Sequence, residues 1–219
     1  MSAEKLATIQ VHTLRGLLRV AANSRTDNRK SLTGAWIEPD GTAVATDGQA
    51  LLAVRNAAEC CFTGAAVFIP ADDALPLVKA QSACGLVEVF ADRLALSGNT
   101  RTATIRRDGD EELHMPDWWR SVPGRVTGRS FYFATGDSRA RTYVSVDSAL
   151  VQRAHLAVCD VRNISPKKAR PLLVMPNGKM PWVGDCGADI LVLAMPYRAE
   201  STFGPREITA QCATWRART

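Results

Sequence analysis

Aromatic residues make up only 6% of the 219 residues, and histidine occurs three times. With so few imidazoles, and with cysteines at 60, 61, 84, 159, 186 and 212 that form no Cys-x-x-Cys pair, the chain offers no zinc-ligand set. Nor do the cysteines show the regular spacing of a disulfide scaffold. No stretch approaches about 18 uninterrupted apolar residues, so no membrane-spanning helix is expected. There is no glycine-rich phosphate loop of the Walker type and no Gly-x-Gly-x-x-Gly, so nucleotide chemistry has no motif to rest on. Met1 to Lys5 is followed by no apolar run, which predicts no signal peptide. The expectation is a cytoplasmic protein with free, mostly buried thiols and neither metal nor cofactor.

What is present is a modest basic excess, 27 Lys+Arg against 22 Asp+Glu, for a net charge of +5. That balance permits contact with polyanions without demanding it. The cations cluster in three places: Arg25, Arg29 and Lys30; Arg106 and Arg107; and Arg162, Lys167, Lys168 and Arg170. The length suffices for one large domain or two small ones.

Apolar spacing predicts a helix over 11–22, where Val11, Leu14, Leu18 and Ala21 share a face and Arg15 and Arg19 a neighbouring stripe. Gly16 costs that helix about 1 kcal/mol relative to Ala, so packing must hold it. Strands are predicted at 32–38, 42–46 and 50–55, punctuated by Pro39-Asp40-Gly41 and Asp47-Gly48. The order then repeats: a strand at 67–70, a helix over 71–81 weakened by Pro76, and strands at 86–90, 93–96 and 102–106. A third, less regular copy is predicted from extended segments at 129–134 and 141–146, a helix at 147–159, a loop at 161–170, and strands at 172–175, 180–183 and 190–194. The element order suggests duplication; sequence identity between the copies is negligible.

Three short segments carry more than periodicity. They are Val44-Ala45-Thr46-Asp47-Gly48-Gln49-Ala50-Leu51-Leu52, Met115-Pro116-Asp117-Trp118-Trp119-Arg120-Ser121-Val122-Pro123, and Met195-Pro196-Tyr197-Arg198. Together and in this order they resemble the bacterial DNA polymerase III β sliding clamp, over residues 8–125 and more loosely over 140–198. The resemblance implies an α+β DNA-clamp fold of duplicated strand–helix–sheet units, with helices on one face of antiparallel sheets. It implies a complete clamp-like domain at 1–126, a shortened one at 127–199, and a C-terminal tail at 200–219. It also implies a peptide pocket: Thr46, Gly48 and Leu51 on one wall, Pro116 and Arg120 on a second, and Met195, Pro196, Tyr197 and Arg198 on a third. Such a groove of Leu, Met, Pro and Tyr accepts the apolar anchors of an extended peptide, with arginines at its rim. The sequence departs from the family at Gln49 and Ala50, where His-Arg is usual, at Ser121, and at Tyr197, which replaces a methionine. These changes imply an altered peptide preference.

The function implied is non-catalytic docking of linear motifs from DNA polymerase or repair proteins. A clamp loader, sequence-independent contact with duplex DNA and assembly into a homo-oligomer come with it. Arg15, Arg19, Lys79 and Arg153 are the expected DNA-contact residues, by phosphate contact without base readout. The same residues also fit a solvated helix face. Of Trp118 and Trp119, one is expected in the core and one partly exposed. Gln211 to Trp215 in the tail has the glutamine-first, aromatic-last form of a clamp-binding peptide, which makes self-docking an alternative. A regulator that forms no ring and competes for clamp partners is the second reading. The enzyme alternative is a thiol hydrolase built from Cys60 or Cys61 with His12, His114 or His155, but no nucleophile elbow surrounds them. Ser165-Pro166-Lys167-Lys168 matches Ser-x-x-Lys without companion motifs.

Overall fold

Lys5–Gln10 forms strand β1, and the chain passes from it straight into helix α1, Val11–Val20. No side chain caps that helix; the Val11 amide instead donates to the Gly85 carbonyl (2.8 Å), borrowing an acceptor from the second repeat. Val11, Leu14, Leu17, Leu18 and Val20 are buried along one face of α1. The computed structural model describes residues 4–79, 85–98, 100–105, 113–118, 148–169, 174–177, 180–184 and 189–194.

A 3-10 turn at Lys30–Leu32 leads into the meander β2 (Gly34–Ile37), β3 (Ala43–Thr46) and β4 (Ala50–Val54), followed by a short β5 (Ala58–Cys60). The second repeat is β6 (Val67–Pro70), α2 (Ala71–Lys79), β7 (Leu86–Phe90), β8 (Arg93–Leu96) and β9 (Thr102–Thr104). Helix α3 (Ser148–Val161) precedes β10 (Val174–Asn177), β11 (Met180–Gly184) and β12 (Ile190–Ala194). The strand–helix–three-strand order therefore occurs twice, as expected, and a helix with three strands follows. The segments 129–134 and 141–146 lie outside the described residues, as does the tail. β1 and β5 were not located by periodicity, and α3 extends two residues past Cys159.

The repeats exchange their first strands. β1 joins the second meander in the sheet β5-β1-β7-β8-β9, while β6 joins the first in β10-β11-β12-β4-β3-β2-β6. All pairings are antiparallel, and β12 extends the larger sheet from β4, with Leu193 opposite Leu51 and Ala194 opposite Ala50. One face of this sheet shares a core with the helices: Ala35, Ile37, Ala43, Ala45, Leu52, Val54 and Val192 bury with Leu14, Leu17, Leu77, Ala154 and Val158. Helix α1 packs on β2–β4 and against α3. Gly16 lets the two helices touch, since a Cβ there would lie 2.6 Å from both the Ala157 carbonyl oxygen and Val161 Cγ2.

Candidate functional site

Residues opposite each other in a ladder share a sheet face, so the pairing defines the outer surface of the larger sheet. Phe68, Trp36 and Val44 form one row, and Thr46, Leu51 and Leu193 another. The Trp36 and Phe68 ring centroids are 4.8 Å apart. Val44, Leu51, Ala53 and Leu193 are buried although they face away from the helices, because Met115, Trp118 and Leu191 pack against them. The described segment 113–118 thus lies over the outer face. Trp118 is partly buried and its Nε1–H donates to Glu38 Oε1 (3.3 Å). Burial raises the Glu38 carboxyl above its ordinary value, the Trp118 bond opposes that shift, and nearby Asp40 adds to it.

The Thr46–Ala50 turn at the edge of this surface is braced by its own side chains. Thr46 Oγ1 donates to the Ala50 carbonyl (2.6 Å) and accepts from the Gly48 amide (3.0 Å). Asp47 Oδ1 accepts the Gln49 and Ala50 amides at 2.8 and 2.7 Å, an Asx-type turn. Gly48 sits at φ +86°, where a side chain is strained, and a Cβ there would also meet Arg29 Nη1 at 3.0 Å. Arg29 donates Nη2 to the Asp47 carbonyl (3.1 Å) while its Nε and Nη2 grip the Asp27 carboxylate (2.9 and 2.6 Å). That grip holds the Asp27 carboxyl down to about 2 and raises the guanidinium. From α3, Arg153 Nη2 donates to Asp47 Oδ2.

Of the residues expected to line a peptide pocket, the structure brings Thr46 and Leu51 onto one face, with Gly48 exposed in the adjoining turn and Pro116 half-buried in the covering segment. Arg120, Met195, Pro196, Tyr197 and Arg198 lie outside the described residues. β12 nevertheless ends at Ala194, paired with Ala50 beside the turn. Asp47, Arg29, Arg153, Glu38, Met115 and Trp118 also belong to this surface and are not among the expected pocket residues. Asp47, Met115 and Trp118 lie within the quoted motifs; Arg153, 106 positions from Asp47, carries no local signal for this surface.

The expected DNA-contact residues have specific surroundings. Arg15 Nη2 donates to the Val78 carbonyl at the end of α2 (2.7 Å), and Arg19 pairs with Asp160 of α3 (2.6 Å). Arg153 is held at the turn, and Lys79 is exposed in the last turn of α2. The thiols are placed equally concretely. Cys60 donates to the Glu38 carbonyl (3.4 Å) with its pKa raised by burial, and Cys61 is exposed. Buried Cys159, its pKa also raised by burial, lies 3.6 Å from His155 Nε2 one helical turn away. A raised thiol pKa disfavours the nucleophilic thiolate. Among the described residues no group of three or more His, Cys, Asp or Glu could hold a metal, and no helix is long and apolar enough to cross a membrane.

No protein-family model and no curated protein matches the sequence. Solved structures do match. The chain is similar to the Helicobacter pylori β clamp in complex with diflunisal, with a TM-score of 0.61 and 12% identity over 90% of this chain and 68% of that one. It is similar to the same organism's β clamp bound to a DNA ligase peptide (TM-score 0.54, 11% identity, 90% and 67% covered). A third is the DNA polymerase III subunit beta of Bartonella birtlesii bound to griselimycin (TM-score 0.55, 17% identity, 91% and 68% covered). At such identity the likeness concerns the fold: this chain has the sliding-clamp architecture and spans about two thirds of each of those chains.

Proposed function

We propose that the chain is a non-catalytic docking platform that binds linear peptide motifs of DNA replication or repair proteins on the outer face of its larger sheet. The observation that carries this reading is the braced Thr46–Ala50 turn, exposed at Gly48 and Gln49, set beside the Met115–Trp118 segment that covers the apolar row around Leu51 and Leu193. That surface belongs to a clamp architecture of which a related structure is a complex with a DNA ligase peptide. An extended peptide docks there by seating apolar anchors beside the turn and bonding its backbone at the rim. The test is fluorescence anisotropy with a labelled pentapeptide, glutamine first, phenylalanine last and apolar between, against a version ending in alanine. Selective binding, with amide shifts in Thr46–Leu51 by NMR, supports the reading; no binding up to millimolar peptide sinks it.

The second reading, a clamp-like regulator that forms no ring, is favoured by one observation. Arg15, Arg19 and Arg153 are engaged by Val78, Asp160 and Asp47, so phosphates would have to displace intramolecular partners. Light scattering on a size-exclusion column separates the two. A discrete assembly of three or four copies supports a DNA-encircling processivity factor, and a monomer at all concentrations supports the regulator.

A further inference from the structure

The Asp47 side chain has two separate tasks. Oδ1 closes the turn by accepting the Gln49 and Ala50 amides, and Oδ2 receives Arg153 from α3. A carboxylate held only through Oδ1 can swing about its last torsion. A guanidinium arriving from outside the turn fixes its plane. The Asp47 side chain is only 12% exposed and that of Arg153 33%, so water competes weakly for this charge-assisted bond. Arg29 contributes from another direction, through the Asp47 carbonyl and not the carboxylate. The β4–β12 ladder joins the third unit to the strand, whereas Arg153 reaches the turn itself.

We infer that Arg153 is a positioning residue: through Asp47 it sets the shape of the Thr46–Ala50 turn and thereby makes α3 a control on the adjoining peptide surface. The inference rests on the docking reading above. Without Arg153 the Asp47 Oδ2 loses its charged partner and is uncovered, so the carboxylate turns toward water and the two amides lose their acceptor. The strand ladder and the helix packing stay in place, so the change is confined to the turn.

The test uses the full chain as Arg153→Ala, Arg153→Lys, Asp47→Asn and the Asp47→Asn/Arg153→Ala double variant. Amide hydrogen exchange by NMR and anisotropy with the labelled pentapeptide are read together. The expected result for Arg153→Ala is about tenfold faster exchange at Gln49 and Ala50 and about tenfold weaker peptide binding, with Ala35–Ile37 in β2 unchanged. Arg153→Lys restores part of both, and adding Arg153→Ala to Asp47→Asn changes little further, since the pair acts as one unit. A pair that merely adds stability would speed exchange across the whole sheet and leave affinity unaltered. Unchanged exchange at Gln49 and Ala50 in Arg153→Ala overturns the inference, as does a global increase. If the wild-type chain does not bind the peptide, the docking reading fails, and the exchange data still decide whether Arg153 sets the turn.

Discussion

Asp27 and Glu38 are two carboxylates on either side of β2 whose surroundings push them in opposite directions. Asp27 is ionised more readily than usual because Arg29 grips it through two nitrogens. Its carboxyl carbon should therefore titrate near 2 by NMR, and Arg29→Gln should raise it toward the ordinary carboxylate range, with part of the lowering kept by the residue-29 amide that also donates to Asp27 Oδ1; an unmoved titration would show that the side-chain grip is absent in solution. Because this folded-state pKa is lowered, the contribution to stability is present at neutral pH and is lost as pH falls toward about 2. Glu38 behaves conversely. Its folded-state pKa is raised, so its contribution is full below the unfolded value and is lost as pH rises through the folded one. Glu38→Gln keeps an acceptor for Trp118 and removes the desolvated charge. Its urea midpoint relative to wild type should rise between pH 4 and pH 7; a falling difference would mean that the charged bond to Trp118 outweighs burial.

Helix–helix contact supplies a test at the level of elements. Gly16→Ala improves helix propensity by about 1 kcal/mol, yet the new methyl meets a backbone carbonyl of α3. We expect a net loss of about 1–2 kcal/mol by chemical denaturation, and a gain would exclude the close approach of α1 to α3. Elements with their own punctuation were legible in the sequence: Val67–Pro70, Leu86–Phe90, Arg93–Leu96 and Ile190–Ala194 fall where expected. β1 was not, because Gln10 runs into Val11 with no turn residue between and the helix takes its capping acceptor from Gly85. β4 falls at Ala50–Val54, within the strand expected at 50–55, but its burial at all five positions was not legible, because its second face is covered by Met115 and Trp118, about 60 positions later. Pro76 did not end α2, whose buried Ala74, Leu77 and Val78 hold the helix through it. The same limit applies to the site. Thr-Asp-Gly announced its turn by local chemistry, whereas Arg153 and Arg29 reach that turn only through tertiary structure.

For the molecule as a whole, the sheet order matters more than the repeat order. The sequence suggests a division at 126, and the larger sheet runs across that position: β4 lies between β3 and β12, which comes from beyond it. A chain cut at 126 would expose the backbone edge of Ala50–Val54, an apolar strand with no charge or proline to guard it. Such a fragment should aggregate or self-associate on size exclusion where the full chain does not; a soluble monomeric fragment would show that β12 is dispensable. The same pairing sets a timetable for the ribosome. About 136 residues separate Val54 from its partner Ile190, which at roughly 5–20 residues per second is about 7–27 s of synthesis. Throughout that interval the nascent chain carries the open apolar edge of β4, exposed to mispairing until β12 arrives.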